Sequence, residues 1–314
     1  MNQQHAPAGA RPRVTVLMAT YNGREWIDAQ IDSVLGQRGV DVRLVVSDDG
    51  SIDGTLDRLA DRTRADSRID VLPRRSGPPG VTANFLRLFT EHEPDGSYVA
   101  FCDQDDVWRA DKLEHQIGTL VSHSADVVSS NVESFDLAGN RRLIKKSHPM
   151  GRWDHVFEAA GPGSTYVFTP EAHRRLRETL AALDYSEIGV HDWYVYALAR
   201  AIGLTWVICP KPTVDYRQHE GNVQGANAGA AATAARVSKL RNGFYRRQFL
   251  LTARAIEAVN TYDEATRRDL HRLIDQLEDE SFFGRLRFLS RWRQIRRNHV
   301  EGLELAGAHV LGVW

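Results

Sequence analysis

Short apolar runs alternate with amphipathic segments along the first third of the chain. The runs are rich in β-branched residues, as buried strands are, whereas the segments between them repeat apolar residues every three or four positions, as helices do. The predicted strands are VTVLMAT (14–20), VRLVVS (42–47), IDVLP (69–73) and YVAFC (98–102). Strands that alternate with helices predict an α/β fold with a mainly parallel sheet between helices.

The pattern changes after residue 125. DVVSSNVESFD (126–136) alternates in polarity and runs into LAGN, so we expect a hairpin there. Further strands are predicted in GSTYVFT (163–169), WVICP and TVDYRQH, and helices over 170–183 and 191–203. The chain is predicted to be mostly helical from Ala226 onward. The expected organisation is a flexible tail at 1–12, an α/β domain at 13–225 and a helical region at 226–314.

Three polar clusters stand directly after predicted strands: TYN (20–22), SDDGS (47–51) and CDQDD (102–106). Ligands of parallel sheets bind outside the carboxyl ends of the strands. We therefore expect the three clusters to converge on one crevice.

The third cluster packs three carboxylates into four positions. Its acids match an EF-hand calcium loop at positions one, three and twelve, but Trp108 stands where that loop needs glycine. Capping of the next helix by Asp105 or Asp106 would leave the other acids unexplained. A site in which Mg²⁺ or Mn²⁺ joins carboxylates to a diphosphate uses the whole cluster.

Composition removes several classes of function. The 314 residues include 40 Lys and Arg against 41 Asp and Glu, so nothing favours a nucleic acid partner. The two cysteines, Cys102 and Cys209, are expected to be reduced and buried. The first residues lack the apolar core of a signal peptide, and no run reaches the roughly 18–20 apolar residues of a membrane span. We expect a cytoplasmic protein.

Five motifs follow one another in order: VLMATYNG, VVSDDGSIDGT, FCDQDDVWRADKL, HDW and YRQHEGN. This ordered set resembles the family-2 inverting glycosyltransferases, which have the GT-A nucleotide-diphospho-sugar transferase fold. The forms DQDDVW…DKL and YRQH…N are similar to the rhamnosyltransferase-like branch, which builds bacterial surface polysaccharides. The resemblance implies a metal-dependent enzyme that moves a sugar, L-rhamnose from dTDP-L-rhamnose or a hexose from a UDP-sugar, to a hydroxyl of a glycan or lipid-linked acceptor.

The resemblance also implies roles on the donor side. Asp48 would accept a hydrogen bond from the imide N–H of the pyrimidine, with Asp49 beside it. Asp105 would bind the metal, with Asp106 supporting it. The other implied donor contacts are Thr20, Tyr21 and Asn22 around the base and ribose, Arg74 or Arg75 beside the base, and Asp103 at the ribose or sugar.

Asp192 of HDW is the candidate general base, because an acceptor hydroxyl must lose its proton as it attacks the sugar. A plain N-cap of the following helix is the structural alternative. His191 is either a supporting neighbour or a surface residue. Single displacement inverts the sugar carbon without a covalent intermediate, so no Ser or Cys nucleophile is expected.

In YRQHEGN, Arg217 is expected to clamp a phosphate and His219 to bind the metal or a phosphate, although a lone histidine is often structural. Asn222 is expected to support them. The Gly/Ala-rich stretch that follows is a candidate lid over the donor.

FFGRLRFLSRWRQIRR (282–297) predicts one basic amphipathic helix. Its apolar stripe is Phe282, Leu286, Leu289, Trp292 and Ile295, and six arginines fill much of the remainder. Such a helix suits an anionic membrane surface, here the inner face of the cytoplasmic membrane. Packing on the catalytic domain and contact within a homodimer are the alternatives.

Two rival functions are weaker. A sugar nucleotidyltransferase would carry a Gly-rich, basic phosphate loop near its first strand, which ATYNGREW lacks. An inactive glycosyltransferase-like scaffold held at a membrane would have no need of Asp105 and Asp192.

Overall fold

The computed structural model describes residues 10–219, Ser238 and residues 242–314. The strands of this part are β1 (Arg13–Thr20), β2 (Asp41–Asp48), β3 (Ile69–Val71), β4 (Tyr98–Cys102), β5 (Val107–Trp108), β6 (Val127–Ser130), β7 (Val132–Phe135), β8 (Arg141–Ile144), β9 (Val167–Phe168), β10 (Trp206–Cys209) and β11 (Val214–Arg217). The helices are α1 (Ile27–Leu35), α2 (Thr55–Ala65), α3 (Val81–Glu91), α4 (Lys112–His123), α5 (Asp154–Phe157), α6 (Pro170–Ala181), α7 (His191–Ala201), α8 (Phe244–Val259), α9 (Glu264–Glu278), α10 (Phe282–Leu289) and α11 (His299–Val310).

Seven strands form the central sheet in the order β10-β6-β9-β4-β1-β2-β3. All neighbours are parallel except β9, which runs antiparallel to β4 and β6. The α/β fold with a mainly parallel sheet is therefore confirmed. Thr20 pairs with Asp48 at the end of β1 and β2, and β4 ends beside them at Cys102. This register brings the three polar clusters to one edge of the sheet.

Alternation along β1 explains how the sheet is covered. Leu17 and Ala19 pack into a core with α3, α6 and α7, whereas Val16 and Met18 pack into a second core with α1 and α4. Burying one such aliphatic side chain stabilises the fold by about 1.5–3 kcal/mol. The cores on both faces keep the strand ends, and hence the site, at a fixed position.

A second sheet of order β5-β11-β7-β8 borders the site. The chain leaves the central sheet at Asn131, between β6 and β7, and the predicted hairpin joins β7 to β8. The strand expected over 163–169 is wrong in its first half, where Gly163–Thr165 form a 3₁₀ turn and only Val167–Phe168 pair. The sequence analysis did not predict strand β5, because two residues are too few to show an alternating pattern.

Helices α8 to α11 confirm the predicted helical carboxy-terminal region and pack against α5 and α7 through a third core. The single helix expected over 282–297 is wrong, because α10 ends at Leu289. After the break, two buried arginines pair with carboxylates of other segments: Arg291 with the half-buried Asp269, and Arg297 with the buried Asp154.

The apolar stripe predicted for that helix is also divided. Phe282 and Leu286 are exposed, Leu289 and Trp292 are half-buried, and Ile295 is buried. Phe288, outside the predicted stripe, is the residue of α10 that enters the core.

Several predictions fall outside the described residues. These are most of the tail, the boundary near residue 225, the candidate lid and Asn222. Among the described residues, none of the helices has the length and apolar character that a membrane crossing requires.

Candidate active site

Asp48 shapes the turn that follows β2. Its Oδ1 accepts hydrogen bonds from the backbone N–H groups of Gly50 (2.9 Å) and Ser51 (2.8 Å). Its Oδ2 accepts from the hydroxyls of Thr20 (2.8 Å) and Ser51 (2.6 Å). Only 3% of Asp48 is exposed. Because both oxygens are already occupied, the expected contact between Asp48 and a pyrimidine stays a prediction with little room to form.

Asp49 holds the neighbouring loop. Its Oδ1 lies 2.8 Å from Nε of Arg75, and its Oδ2 accepts from Nη2 of Arg75 (3.0 Å) and from the backbone N–H of Gly80 (2.5 Å). Arg74 lies over Gly50: a Cβ there would lie 2.5 Å from Cζ of Arg74, and the φ of +93° at Gly50 would strain any residue with a side chain. Both arginines expected beside the base therefore flank this turn.

The TYN segment is held by side chains of the other two clusters. Gln104 clamps Tyr21 by accepting from its backbone N–H (2.9 Å) and donating to its carbonyl (3.0 Å). Asn22 has a φ of +48°, and its Oδ1 accepts from the backbone N–H of Ile52 (2.9 Å). The ring of Tyr21 stays 45% exposed at the crevice.

The three carboxylates of the DQDD loop have separate surroundings. Asp103 lies near Ser164, which lowers its pKa against the larger effect of burial. Asp106 is fully buried and accepts from the hydroxyl of Ser164 (2.7 Å) and the backbone N–H of Arg217 (3.2 Å). Asp105 lies with its Oδ2 2.9 Å from Nε2 of His219. Among the described residues, Asp105 is the carboxylate of this loop that lies beside a histidine.

The capping alternative for this loop is wrong, because α4 begins at Lys112 and follows Asp111 rather than Asp105 or Asp106. Burial raises the pKa of both Asp103 and Asp106, and the neighbouring carboxylate of Asp105 raises each further. A site with these charges favours a proton or a cation.

An aromatic sandwich fixes the residues of YRQH, and the sequence alone did not reveal it. The guanidinium of Arg217 lies 4.4 Å from the ring centroid of Trp26 and 4.6 Å from that of Phe135, and its Nε donates to the carbonyl of Asp105 (2.9 Å). The ring of His219 stacks on Trp26 with centroids 5.5 Å apart. Trp26 therefore supports both predicted diphosphate-side residues.

The fit of a divalent cation rests on two donors. Among residues 10–219, Ser238 and 242–314, no group of three or more His, Cys, Asp or Glu side chains is arranged to hold a metal. Asp105 and His219 offer one carboxylate oxygen and one imidazole nitrogen at adjoining positions. This set suits a hard cation that takes most of its ligands from phosphates and water.

Asp192 lies in the first turn of α7, whose N-cap is Val190, so the cap alternative does not describe it. Its Oδ1 accepts from the backbone N–H of Trp193 (2.7 Å), and the backbone N–H of Gly163 also donates to the carboxylate. Burial outweighs these bonds and raises the pKa of Asp192 to about 6. Asp192 in turn raises the pKa of Asp103, which places the two carboxyls in one electrostatic site.

His191 is an interior residue rather than a surface one. Its ring stacks on Phe85 with centroids 4.0 Å apart and an interplanar angle of 13°. Burial lowers the pKa of His191 to about 3, so the ring is neutral at ordinary pH. A Cβ at Gly163 would lie 2.8 Å from its Nε2, which shows how closely the 3₁₀ turn packs on this ring.

Comparison with known proteins gives the family. The model of "Glycosyl transferase family 2" matches residues 15–177. The chain is also 38% identical over 246 residues to the dTDP-rhamnosyl transferase RfbG of Shigella flexneri, covering 76% of this chain and 84% of the relative. The chain belongs to glycosyltransferase family 2. The expected enzyme class and the likeness to the rhamnosyltransferase branch are confirmed.

Other relatives of this family-2 glycosyltransferase are more distant. It is 31% identical over 135 residues to the Escherichia coli UDP-Glc:alpha-D-GlcNAc-diphosphoundecaprenol beta-1,3-glucosyltransferase WfgD, covering 42% of this chain and 49% of WfgD. The structure of S. aureus TarS with UDP-GlcNAc matches with a TM-score of 0.59 at 14% identity, covering 96% and 89% of the two chains. This structural likeness supports the GT-A fold alone.

The family-2 glycosyltransferase therefore gathers most of its predicted site residues at one sheet edge. Those that the sequence analysis missed act as supports, namely Trp26, Gln104 and Ser164. Gln104 had a usable signal, because it lies inside the DQDD motif. Trp26 and Ser164 had none, since they reach the site from α1's start and from the 3₁₀ turn.

Proposed function

We propose that this glycosyltransferase moves L-rhamnose from dTDP-L-rhamnose to a hydroxyl of a lipid-linked glycan, with inversion at the sugar carbon. The observation that carries the proposal is the pairing of Asp105 with His219 near a half-buried Asp192 whose pKa is raised to about 6. The 38% identity to a dTDP-rhamnosyl transferase favours this donor. The lipid-linked acceptor is favoured by WfgD, whose name includes a diphosphoundecaprenol-linked sugar.

On the donor side, we assign the pyrimidine imide N–H to the Asp48–Asp49 pair, with Arg75 beside it. Both carboxylates are 3% exposed and already accept hydrogen bonds within the protein, so one of those bonds would open when the base binds. Tyr21 and the Thr20 backbone line the base and ribose. Asp103 contacts the ribose or sugar. Arg217, held against Trp26, clamps a phosphate oxygen.

Asp105 and His219 are the residues that would hold Mg²⁺ or Mn²⁺, which supplies positive charge against the departing diphosphate. Asp106 supports them by fixing the backbone of Arg217. A mannosyltransferase from Pyrobaculum calidifontis, solved with GDP-Man and Mn²⁺, shares the fold with a TM-score of 0.55 at 18% identity.

On the acceptor side, the carboxylate of Asp192 removes the proton from the acceptor hydroxyl as its oxygen attacks C1 of the sugar. The bond from C1 to the phosphate oxygen breaks, and the dTDP leaves with the electron pair. A pKa of about 6 leaves Asp192 ionised at neutral pH and basic enough to take the proton. No enzyme-bound sugar forms, so one displacement inverts the carbon.

A donor panel tests this function. Nucleoside diphosphate release would be measured from dTDP-L-rhamnose, UDP-glucose and UDP-GlcNAc, each with Mn²⁺, Mg²⁺ or EDTA. We expect release from dTDP-L-rhamnose to exceed the others and to be lost with EDTA. Faster release from a UDP-sugar would contradict the assignment of dTDP-L-rhamnose as the donor. Equal release in EDTA would contradict the metal requirement. If no donor is cleaved and no nucleotide binds, the proposal is overturned.

Docking on an anionic membrane remains part of the proposal, now on a smaller surface. Phe282 and Phe283 are 62% and 72% exposed on α10, beside Leu286 and the half-buried Arg285. Sedimentation with vesicles containing phosphatidylglycerol should retain the wild type and release the Phe282→Ser, Phe283→Ser variant. Leu137→Ser, at an equally exposed loop position, is the control. Equal recovery of all three proteins with the vesicles would contradict membrane docking. The cytoplasmic location and the homodimer stay predictions.

A further inference from the structure

Lys146 is held in place beside the site although it follows an exposed strand. The side chain of Asn131, which is buried, accepts hydrogen bonds through Oδ1 from the backbone N–H groups of Lys146 (2.6 Å) and Ser147 (2.9 Å). Nδ2 of Asn131 donates to the carbonyl of Pro210 (2.8 Å). The backbone of Lys146 is thus fixed at the point where the chain passes from one sheet to the other, which pre-organises its side chain.

A glycine turn joins Lys146 to Asp192. A Cβ at Gly161 would lie 3.7 Å from Cγ of Lys146, and a Cβ at Gly163 would lie 3.3 Å from Cβ of Asp192. Both side chains therefore pack on the same short turn. The Lys146 ammonium acts on the candidate base, since it lowers the pKa of Asp192 against the larger effect of burial.

The charges around Lys146 leave it without a close counter-ion. Glu158 and Glu301 face it, together with the arginines at 296 and 297. Arg297 takes up Glu158 at 3.1 Å, and no carboxylate of the described residues lies within 4.0 Å of the Lys146 ammonium. Burial and the two arginines lower the pKa of Lys146.

Arg296 is a second cation whose guanidinium has hydrogen-bond donors without acceptors among the described residues. Its Nη1 lies 3.7 Å from Oε2 of Glu158, which is too long for a hydrogen bond. Its buried Nε has no hydrogen-bond partner within the part of the chain described. Lys146 and Arg296 are both half-buried, and neither has a carboxylate of the described residues within hydrogen-bond distance. An anionic ligand would stabilise two partly desolvated cations of this kind.

We propose that Lys146 and Arg296 form a binding site for a phosphate group of the acceptor, beside the candidate base Asp192. This inference rests on the proposed function and names the acceptor as phosphate-bearing. A neutral glycan would need no cation there. In a lipid-linked sugar the phosphate follows the first sugar, so one sugar ring would separate the hydroxyl at Asp192 from the phosphate at Lys146.

The test uses geranyl diphosphate, a soluble prenyl diphosphate, titrated calorimetrically into the full chain already saturated with dTDP and Mn²⁺. The nucleotide occupies the donor site, so only a second phosphate site remains to be detected. Geraniol and inorganic pyrophosphate are titrated in parallel to separate the lipid from the phosphates. Lys146→Gln and Arg296→Gln are compared with Lys145→Gln, which removes the same charge from the exposed neighbouring residue.

We expect Lys146→Gln to bind geranyl diphosphate about ten- to a hundredfold more weakly, as loss of a charge-assisted hydrogen bond predicts. Arg296→Gln should weaken binding less, and Lys146→Arg and Lys145→Gln should bind like the wild type. Pyrophosphate binding with the same dependence on Lys146 would also support the site. Equal affinity for geraniol, equal loss in Lys145→Gln, or no binding by the nucleotide-saturated wild type would overturn it.

Binding of dTDP is measured first in every protein. Retained dTDP affinity in the variants shows that they are folded and confines the change to the second site. Failure of the wild type to bind dTDP would instead overturn the proposed function, and the phosphate site would fall with it.

Discussion

The two sides of the active site are built in different ways. On the donor side, Thr20, Asp48 and Asp103 stand at or directly after the ends of adjacent strands, so the register of the sheet alone brings them together. On the acceptor side, Asp192 lies in the first turn of α7, and Lys146 comes from a loop 46 positions earlier in the sequence. Both side chains pack against the turn that contains Gly161 and Gly163. The donor side therefore depends on the sheet, and the acceptor side depends on packing between distant segments.

The carboxy-terminal region takes part in that packing. Asp192 is one helical turn from Tyr196, whose hydroxyl donates to Oδ2 of Asp154 (2.7 Å). Nη1 of Arg297 donates to the same oxygen (3.0 Å), and the Arg297 side chain is 1% exposed. Arg297 thus connects the carboxy-terminal region to α7, the helix of the candidate base. Among the described residues, no ion pair connects the carboxy-terminal region to the carboxylates of the donor side.

The largest expected difference between the two sides comes from Asp192→Asn. The amide keeps the shape of the side chain but cannot take a proton, so sugar transfer should fall about 10²–10⁴-fold. Affinity for dTDP, measured by calorimetry, should not change, because the donor side is held by the sheet. Asp184→Asn, at an exposed turn, is the control. Unchanged transfer in Asp192→Asn would remove this residue as the base.

Arg297→Met tests how the acceptor side is held. Asp154 and Glu158 would lose their most buried counter-charge and keep only Arg200 at 3.3 Å and Arg296 at 3.7 Å, respectively. Breaking a buried pair costs up to about 3–5 kcal/mol in the free energy of unfolding. Urea denaturation followed by fluorescence measures the change. In Arg287→Met, which breaks an exposed pair with Asp279, the loss should be about 0–1 kcal/mol.

Among molecules that remain folded, Arg297→Met should lower the rate of transfer more than it weakens dTDP binding. An equal effect on both would show that the carboxy-terminal region supports the whole domain rather than the acceptor side.

This contrast also explains what the sequence could predict. The donor motifs could be predicted because each follows a β-branched run. In a parallel sheet, residues that directly follow neighbouring strands lie close together in space. The roles of individual residues within a motif were harder to predict. Both oxygens of Asp48 accept hydrogen bonds from its own turn and from Thr20, and Asp106 is buried against Ser164. These outcomes depend on backbone geometry that residue types do not encode.

The acceptor side and the carboxy-terminal region were less predictable for a physical reason. The arginine-rich segment 282–297 has helical periodicity, yet two of its arginines become buried by pairing with distant carboxylates. Arg291 donates to Asp269, 22 positions earlier in the sequence, and Arg297 donates to Asp154, 143 positions earlier. Pairing at such separations overrides local periodicity. Lys146 had no motif, and only the packing around Gly161 and Asn131 reveals it.

Trp26→Leu perturbs the donor side by a moderate amount. It removes the ring that supports Arg217 and His219, and a cation–π contact contributes about 0.5–2 kcal/mol. We expect dTDP with Mn²⁺ to bind about two- to thirtyfold more weakly, with transfer at saturating donor little changed. Trp292→Leu removes a similar contact with Arg293 in the carboxy-terminal region and should leave binding of dTDP with Mn²⁺ unchanged. A fall in transfer without weaker binding would contradict the assignment of Trp26 to the donor side.

Between pH 7 and pH 6, the smallest effect is expected from the pH dependence of transfer, which also separates the two sides. Transfer requires Asp192 to be ionised, and its pKa is raised to about 6 by burial. The rate at saturating donor should therefore be near its maximum above pH 7, fall to about half at pH 6 and drop about tenfold for each further unit. Because Lys146 lowers the pKa of Asp192, Lys146→Gln should move this acid limb to higher pH, and Lys145→Gln should not. Residual transfer by Asp192→Asn should lack the limb. If the fall in rate at low pH persists in Asp192→Asn, another group titrates, and the raised pKa of Asp192 does not control transfer.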